Sequence, residues 1–368
     1  MSVTEPRPDD QLTVDASVHV QETPLDLLPY CDEAWRPALQ AIADNAKTAG
    51  VGSELWPPGG GDEPAATSPD ELRVHLTERG VDLAILCPTA LQKLSMVPQA
   101  EFASALARAY NAWLVDTWLR PELGLLGCLI ASPQAPADTA AEIEKYAGHP
   151  GVVGVYLPGA AVDPLWGHRK YDPILRAAEA AGLPVLLNSV EVMHPVFPFN
   201  THGFDTVLAR FTTSDPFAMM VNLIDMITTG VPARFPELRV GVLGAGVTWM
   251  PFLSLRLDKV YLEKRREVPF LAERPSHYLK GYFYGTFPLE EAGDPKDFVT
   301  LVDLFDGENA TVFASGWPGA GHDDPAQIRT LPFSDEAKQK ILGGNALRLF
   351  GIDADGRRTS LSQGAAAR

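Results

Sequence analysis

The stretch GVVGVYLPGAAVDPLWGHRKYDPILRAAEAAGLPVLLN, Gly151 to Asn188, decides the fold. Its opening run, GVVGVYL, is short, apolar and without strict alternation. That is the pattern of a strand buried on both faces. YDPILRAAEAAG, Tyr171–Gly182, reads as a helix with glycine at its stop. LPVLLN, Leu183–Asn188, is a second buried strand. Strand, helix and strand in that order form one parallel unit.

The same alternation extends in both directions. LTVDASVH (12–19), VDLAILC (81–87) and LGLLGCL (123–129) precede it; LRVGVLG (238–244), YFYGTF (282–287) and TVFAS (311–315) follow. Helical patterns lie between them, among them EFASALARAYNAWLVDTWL (101–119), ADTAAEIEKYAG (137–148), DPFAMMVNLIDMITTG (215–230) and WMPFLSLRLDKVYLEKRREV (249–268). Eight strands alternating with helices predict a single (β/α)8 TIM barrel over residues 11–352. The competing doubly wound sheet would want a GxGxxG turn after an early strand, and the sequence has none. Residues 1–10 and 353–368 lack apolar periodicity and are expected to be mobile. Long loops are expected at Val51–Glu71, on the first crossover, and at Ser189–Ser214, after strand five.

The 368 residues are 46% hydrophobic and 21% charged, with a formal net charge of −17. A chain this acidic repels nucleic acid and anionic membrane, so neither is expected as a partner. The three cysteines, Cys31, Cys87 and Cys128, form no CxxC pair, which argues for a reducing compartment. Cys87 and Cys128 close apolar runs and read as small buried hydrophobes. The polar N-terminus is no signal peptide, and no stretch reaches the roughly 20 apolar residues of a membrane span. A cytoplasmic location is expected.

In a barrel of this kind chemistry sits at the C-terminal strand ends. Those tips carry Ser17, Val18 and His19 on strand one, Tyr156 on four, Asn188 on five, Leu243 and Gly244 on six, Thr286 and Phe287 on seven, and Ser315 and Gly316 on eight. A metal hydrolase needs three or four converging ligands around an ion that acidifies bound water. At these tips only His19 qualifies.

TVDASVHV, GVDLAILCPT, PFNTHGFDT, GVPARFPELRVGVLGAGVTWMPF, FASGWPG and KILGGNALRLFGI resemble the amidohydrolase-related branch of the amidohydrolase superfamily. That branch includes metal-dependent hydrolases and decarboxylases of the aminocarboxymuconate-semialdehyde type. The resemblance implies a DxHxH or DxDxH element where this chain has Asp15-Ala-Ser17-Val-His19. It implies histidine at Asn188, a further histidine pair near Phe211 and Asp215, glutamate at Gly244, and a catalytic aspartate at Gly316 in the SDWPH-like stretch Ser315–Gly319. With those positions altered, the expectation is a scaffold that has lost its metal-water chemistry and holds no cofactor.

What remains is an acid/base set without metal. His19, His322 and Asp324 are the candidate catalytic groups. Ser17, Tyr156, Asn188, His194, Phe287 and Trp317 are the candidate contacts to a small organic substrate, with Phe287 and Trp317 as an aromatic wall. Each has a plainer reading. His19 also reads as a hydrogen-bonded core histidine, His194 as a surface-loop residue, and Asp323 and Asp324 as a solvated loop or a helix cap before Pro325. His202 and Asp205 read as residues that shape their loop. Cyclisation, isomerisation, elimination or decarboxylation of an organic acid or thioester, in the biosynthesis of a secondary metabolite, all fit. A rebuilt metal site and a non-catalytic binder or partner subunit are the alternatives. The apolar helix DPFAMMVNLIDMI and the helix around Trp249 to Arg266 suggest a homodimer. The charge run Glu263–Glu267 reads as a solvated face or subunit contact.

Overall fold

The computed structural model describes residues 12–44, 55–56, 65–159, 161–189, 204–290, 293–319 and 321–355. Its centre is one eight-stranded parallel sheet in sequential order. The strands are β1 (Val14–Val20), β2 (Leu83–Pro88), β3 (Leu125–Ile130), β4 (Val152–Pro158), β5 (Val185–Asn188), β6 (Val240–Leu243), β7 (Phe283–Gly285) and β8 (Thr311–Val312). The sheet closes on itself. Ala16 N–H donates to Phe313 O (2.9 Å), Gly316 N–H to Ser17 O (3.0 Å) and His19 N–H to Trp317 O (2.8 Å). The predicted barrel is therefore the observed one, and each of the eight apolar runs holds a strand.

All residues of the strands are buried, which explains why their sequences do not alternate. Several helices start where a polar cap precedes proline. Ser68 caps Pro69–Glu78 and Asp294 caps Pro295–Asp303, each accepting a backbone N–H. The helix Asp172–Ala180 gives way to Gly182, at φ +66°, before β5. At the opposite end from the strand tips, Arg239 binds Arg348 O (3.0 Å) and Gly182 O, so the helix Asn345–Phe350 covers the N-terminal mouth. Cys31, Cys87 and Cys128 are buried free thiols.

One expectation is corrected after β5. The helix expected from Asp215 starts at Val207 and runs unbroken to Thr228, through Pro216. Thr206 caps it, accepting from Ala209 N–H (3.2 Å). Its first turns point Val207, Leu208 and Phe211 outward, so they carry no core-facing stripe that a pattern search would register. Residues 1–10 lie outside the described residues; of 353–368 only 353–355 are described. Among the described residues no helix is long and apolar enough to cross a membrane.

Candidate active site

The site begins at a bulge in β1. Asp15 pairs with Ala84 but Val18 with Leu86, so β1 has one residue more than β2 between those contacts. The bulge brings Ser17 N–H onto Asp15 Oδ1 (3.1 Å), which also accepts Ser315 N–H (2.9 Å). Asp15 thus joins the first strand to the last. Burial pushes its carboxyl up to about 6, against the hydrogen bonds from Ser315 and Ser17 that favour the carboxylate.

Two residues on, the His19 ring is fixed at both nitrogens. Nδ1 lies 2.7 Å from Pro88 O and Nε2 lies 3.0 Å from Ser17 Oγ. A carbonyl only accepts, so Nδ1 carries the proton. Nε2 then offers its lone pair, and the Ser17 hydroxyl donates to it. Burial lowers the His19 pKa, offset in part by the Pro88 carbonyl, so the ring is neutral at neutral pH.

From His19 the tips follow one another around the mouth. His19 and Cys87 are lateral neighbours, and Cys87 is close enough to Tyr156 to act on its ionisation. Burial is the main cause that raises the Tyr156 phenol; the Asn188 amide beside it acts the other way. The Tyr156 hydroxyl and Asn188 Nδ2 are both buried, and beyond their contact with each other neither has a hydrogen-bond partner among the described residues. Asn188 Oδ1 occupies the space a side chain at Gly244 would need. Across the ring, the Phe287 edge lies 2.7 Å from where a Cβ on Gly316 would stand. Gly244 and Gly316 have φ of +73° and +70°. Both tips are built for residues without side chains.

The carboxylates around this mouth hold loops. Glu22, wholly buried, accepts Leu91 N–H (2.7 Å) and Thr89 N–H (3.0 Å), tying the end of β1 to the turn after β2. Burial pushes it up to about 7, against those same backbone donors. Glu290 Oε2 accepts Val247 N–H (2.9 Å) and Thr248 N–H (2.8 Å), joining the loops after β7 and β6. Asp323 Oδ2 accepts Leu289 N–H (2.9 Å), joining the loops after β8 and β7. Sequence reading passed over Glu22 and Glu290 because neither falls in a motif, and each looks like an ordinary surface acid.

The candidate residues divide. Ser17, His19, Tyr156, Asn188 and Phe287 are brought to the mouth. Trp317 is turned away from its expected place in the wall. Its ring stacks on His75 in the helix Pro69–Glu78, with centroids 4.3 Å apart, so it packs against the outer helix layer. Asp324 caps the helix Pro325–Thr330, accepting Ala326 N–H (2.8 Å) and sharing a capping box with Gln327. His322 Nδ1 faces Gly319 O (3.3 Å) on the surface of its loop. His194 and His202 lie outside the described residues, and Asp205 is exposed.

Among the described residues no group of three His, Cys, Asp or Glu side chains could hold a metal ion. The donor set explains why. Both His19 nitrogens are engaged, and Gly244 and Gly316 supply no donor. Asp215 accepts the Ser189 hydroxyl (2.7 Å), and Phe211 is exposed. These residues do not fit a catalytic metal.

The family model described as Amidohydrolase matches residues 14–352. A search of curated proteins finds no match. Among solved structures, an amidohydrolase from Mycobacterium avium subsp. paratuberculosis K-10 is 19% identical with a TM-score of 0.73, covering 94% of this chain and 99% of that one. The 5-carboxyvanillate decarboxylase of Sphingomonas paucimobilis is 22% identical with a TM-score of 0.69, covering 93% and 100%. The 5-carboxyvanillate decarboxylase of Novosphingobium aromaticivorans DSM 12444, complexed with manganese and 4-hydroxy-3-methoxy-5-nitrobenzoic acid, is 17% identical with a TM-score of 0.68, covering 93% and 96%. At these identities the likeness to the solved structures is one of fold.

Proposed function

The chain belongs to the amidohydrolase family, and from that premise we propose that it is an enzyme that moves protons on an organic acid without a metal, with His19 as the acid and base. The observation that carries this reading is the His19 ring, held in one tautomer with its lone pair turned to Ser17 at the strand tips. A neutral imidazole with a fixed basic nitrogen is suited to general base work near neutral pH. The buried Tyr156 hydroxyl and Asn188 amide support an oxygen-bearing substrate, because a carbonyl or carboxylate would satisfy them. Phe287 supplies an apolar side to the same mouth.

Decarboxylation is the favoured reaction in this class. The solved relatives named above include two decarboxylases of aromatic acids. Loss of carbon dioxide leaves a carbanion that must be protonated, and His19 Nε2 can return to that carbon, through Ser17, the proton it first took by the same route from the substrate's carboxylic acid. The test uses 5-carboxyvanillate and related hydroxybenzoates in D2O, with carbon dioxide release and deuterium uptake followed together. Purified chelator-free protein is expected to carry substoichiometric zinc, manganese and iron and still turn over. His19→Ala is expected to lower kcat by roughly 10²–10⁴-fold with little change in KM. Activity that tracks one equivalent of metal would instead establish a rebuilt site. Binding without turnover in the wild type would establish a binder.

We also propose that the chain acts as a homodimer. Phe252 and Leu255 on the helix Met250–Lys264 are 63% and 73% exposed, and Phe270, 44% exposed, packs on Gly230 at the end of the helix Val207–Thr228. The helix Met250–Lys264 and the turn that follows it therefore present apolar surface that a second copy would cover. Light scattering at micromolar concentration is expected to give twice the chain mass. Phe252→Glu with Leu255→Glu should yield monomer.

A further inference from the structure

We propose that Ser17 is a covalent nucleophile and that the barrel mouth carries out acyl transfer through an ester on its hydroxyl. The inference rests on the reading of His19 as a base and goes beyond it by adding a bond to Ser17. A nucleophile, a base in hydrogen-bond reach and a third group that orients the base make up an activated hydroxyl. Ser17 Oγ stands 3.0 Å from His19 Nε2, and Pro88 O holds Nδ1–H at 2.7 Å.

The serine is fixed from both sides. Its N–H donates to Asp15 (3.1 Å) and its carbonyl accepts Gly316 N–H (3.0 Å). His19 N–H is held by Trp317 O (2.8 Å). Both members of the dyad lie on β1, and these bonds hold that strand against the chain that follows β8. Gly316, beside Ser17, has no side chain to compete for the space.

The orienting group also indicates the substrate class. In a triad a carboxylate stabilises the imidazolium that forms when serine attacks. Here a neutral carbonyl takes that place, so the imidazolium receives less help. Such a dyad suits an acyl group with a good leaving group, a thioester or an aryl ester, rather than an amide. As Ser17 Oγ bonds to the acyl carbon, its proton passes to His19 Nε2. The C–S or C–O bond then breaks, and the thiolate or aryloxide takes the proton from Nε2. Water attacks the Ser17 ester in a second round, giving its proton to His19, and the acid leaves as Ser17 regains its hydrogen.

The probe is p-nitrophenyl acetate on the full chain, with p-nitrophenolate release, intact mass after acid quench, and peptide mapping. Wild type is expected to gain one acetyl group, on Ser17, with a burst of about one equivalent of nitrophenolate. Ser17→Ala and His19→Gln should each lower the burst rate by roughly 100-fold or more. Circular dichroism and the thermal midpoints of both variants, read beside the burst, show whether each is folded. A wild type without acetyl on Ser17, or Ser17→Ala acylated as fast as wild type, overturns the proposal. If Ser17 is not acylated while His19→Ala still abolishes deuterium uptake into the organic acid, the covalent step fails and the proton-transfer reading stands. If both readouts are silent, both fail.

Discussion

Gly316→Asp is expected to lower stability by about 2–4 kcal/mol and to create no hydrolase activity. The resemblance of Ser315–Gly319 to an SDWPH element implies a catalytic aspartate at this position, so the change restores the residue that the resemblance implies. The local geometry opposes it. Gly316 has φ of +70°, a backbone conformation that a side chain makes costly. Its new Cβ would meet three atoms of the Phe287 ring at 2.7–2.8 Å. An aromatic ring cannot yield by rotating a flexible end, so ring or strand must move. The added carboxylate would also be pressed against that apolar ring, where desolvation disfavours its charged form. Urea denaturation should show a lower midpoint at unchanged slope. Gly316→Ala should fall between the two, since it keeps the strain and the ring contact without the charge. Phe287→Ala combined with Gly316→Asp should be less harmful than the two changes summed. Equal stability of Gly316→Asp and wild type would mean that the Phe287 ring moves out of the way at no cost, and that the tip is not committed to glycine. Hydrolysis by the single variant would mean that the other ligands are in place after all.

The fold was legible because burial on both faces writes short apolar runs without alternation, and these recur between helices with glycine stops. Gly151–Asn188 shows it in one unit, and β4 and β5 lie where that stretch predicts them. Strand ends were less legible. YFYGTF and TVFAS suggest longer strands than Phe283–Gly285 and Thr311–Val312. Thr286 N–H still bonds to Val312 O (3.0 Å), but Phe313 N–H turns to Ile341 O (2.9 Å), so the ladder ends while the chain stays apolar. Asp324 was readable as a cap because aspartate before proline is a local signal. Trp317 was not, because a residue at a strand tip faces either layer, and only the contact with His75 decides which. Glu22 and Glu290 were hidden for a related reason. Their partners are backbone N–H groups 67 residues or more away for Glu22 and about 40 for Glu290, and no sequence pattern marks such partners.

Glu22→Gln is expected to remove most of a pH dependence of stability that wild type shows between about pH 4.5 and 7. Burial raises the Glu22 carboxyl from 4.5 to about 7 in the fold. An acid with a raised folded-state pKa binds its proton more tightly when folded, so protonation favours the native state. Its contribution is complete below the unfolded value and is lost as pH rises through about 7. A shift of this size corresponds to something on the order of 3 kcal/mol. Asp15, raised from 3.8 to about 6, acts in the same direction over a slightly lower window. Wild type should therefore be more stable at pH 5 than at pH 8. Relief of the net charge of −17 in acid also favours the fold, but it acts on variant and wild type alike. The difference between the two isolates Glu22. Glutamine keeps one oxygen for the N–H groups of Leu91 and Thr89 and turns an NH2 toward the other, leaving a buried donor facing a donor. That costs about 1–3 kcal/mol at pH 5, where protonated Glu22 is at its best. The variant should then close on wild type as pH rises, because only wild type must give up a proton in the core. Urea midpoints at pH 5, 6, 7 and 8 measure both slopes. Parallel slopes would place the titrating group elsewhere and leave Glu22 as a simple brace for the turn after β2.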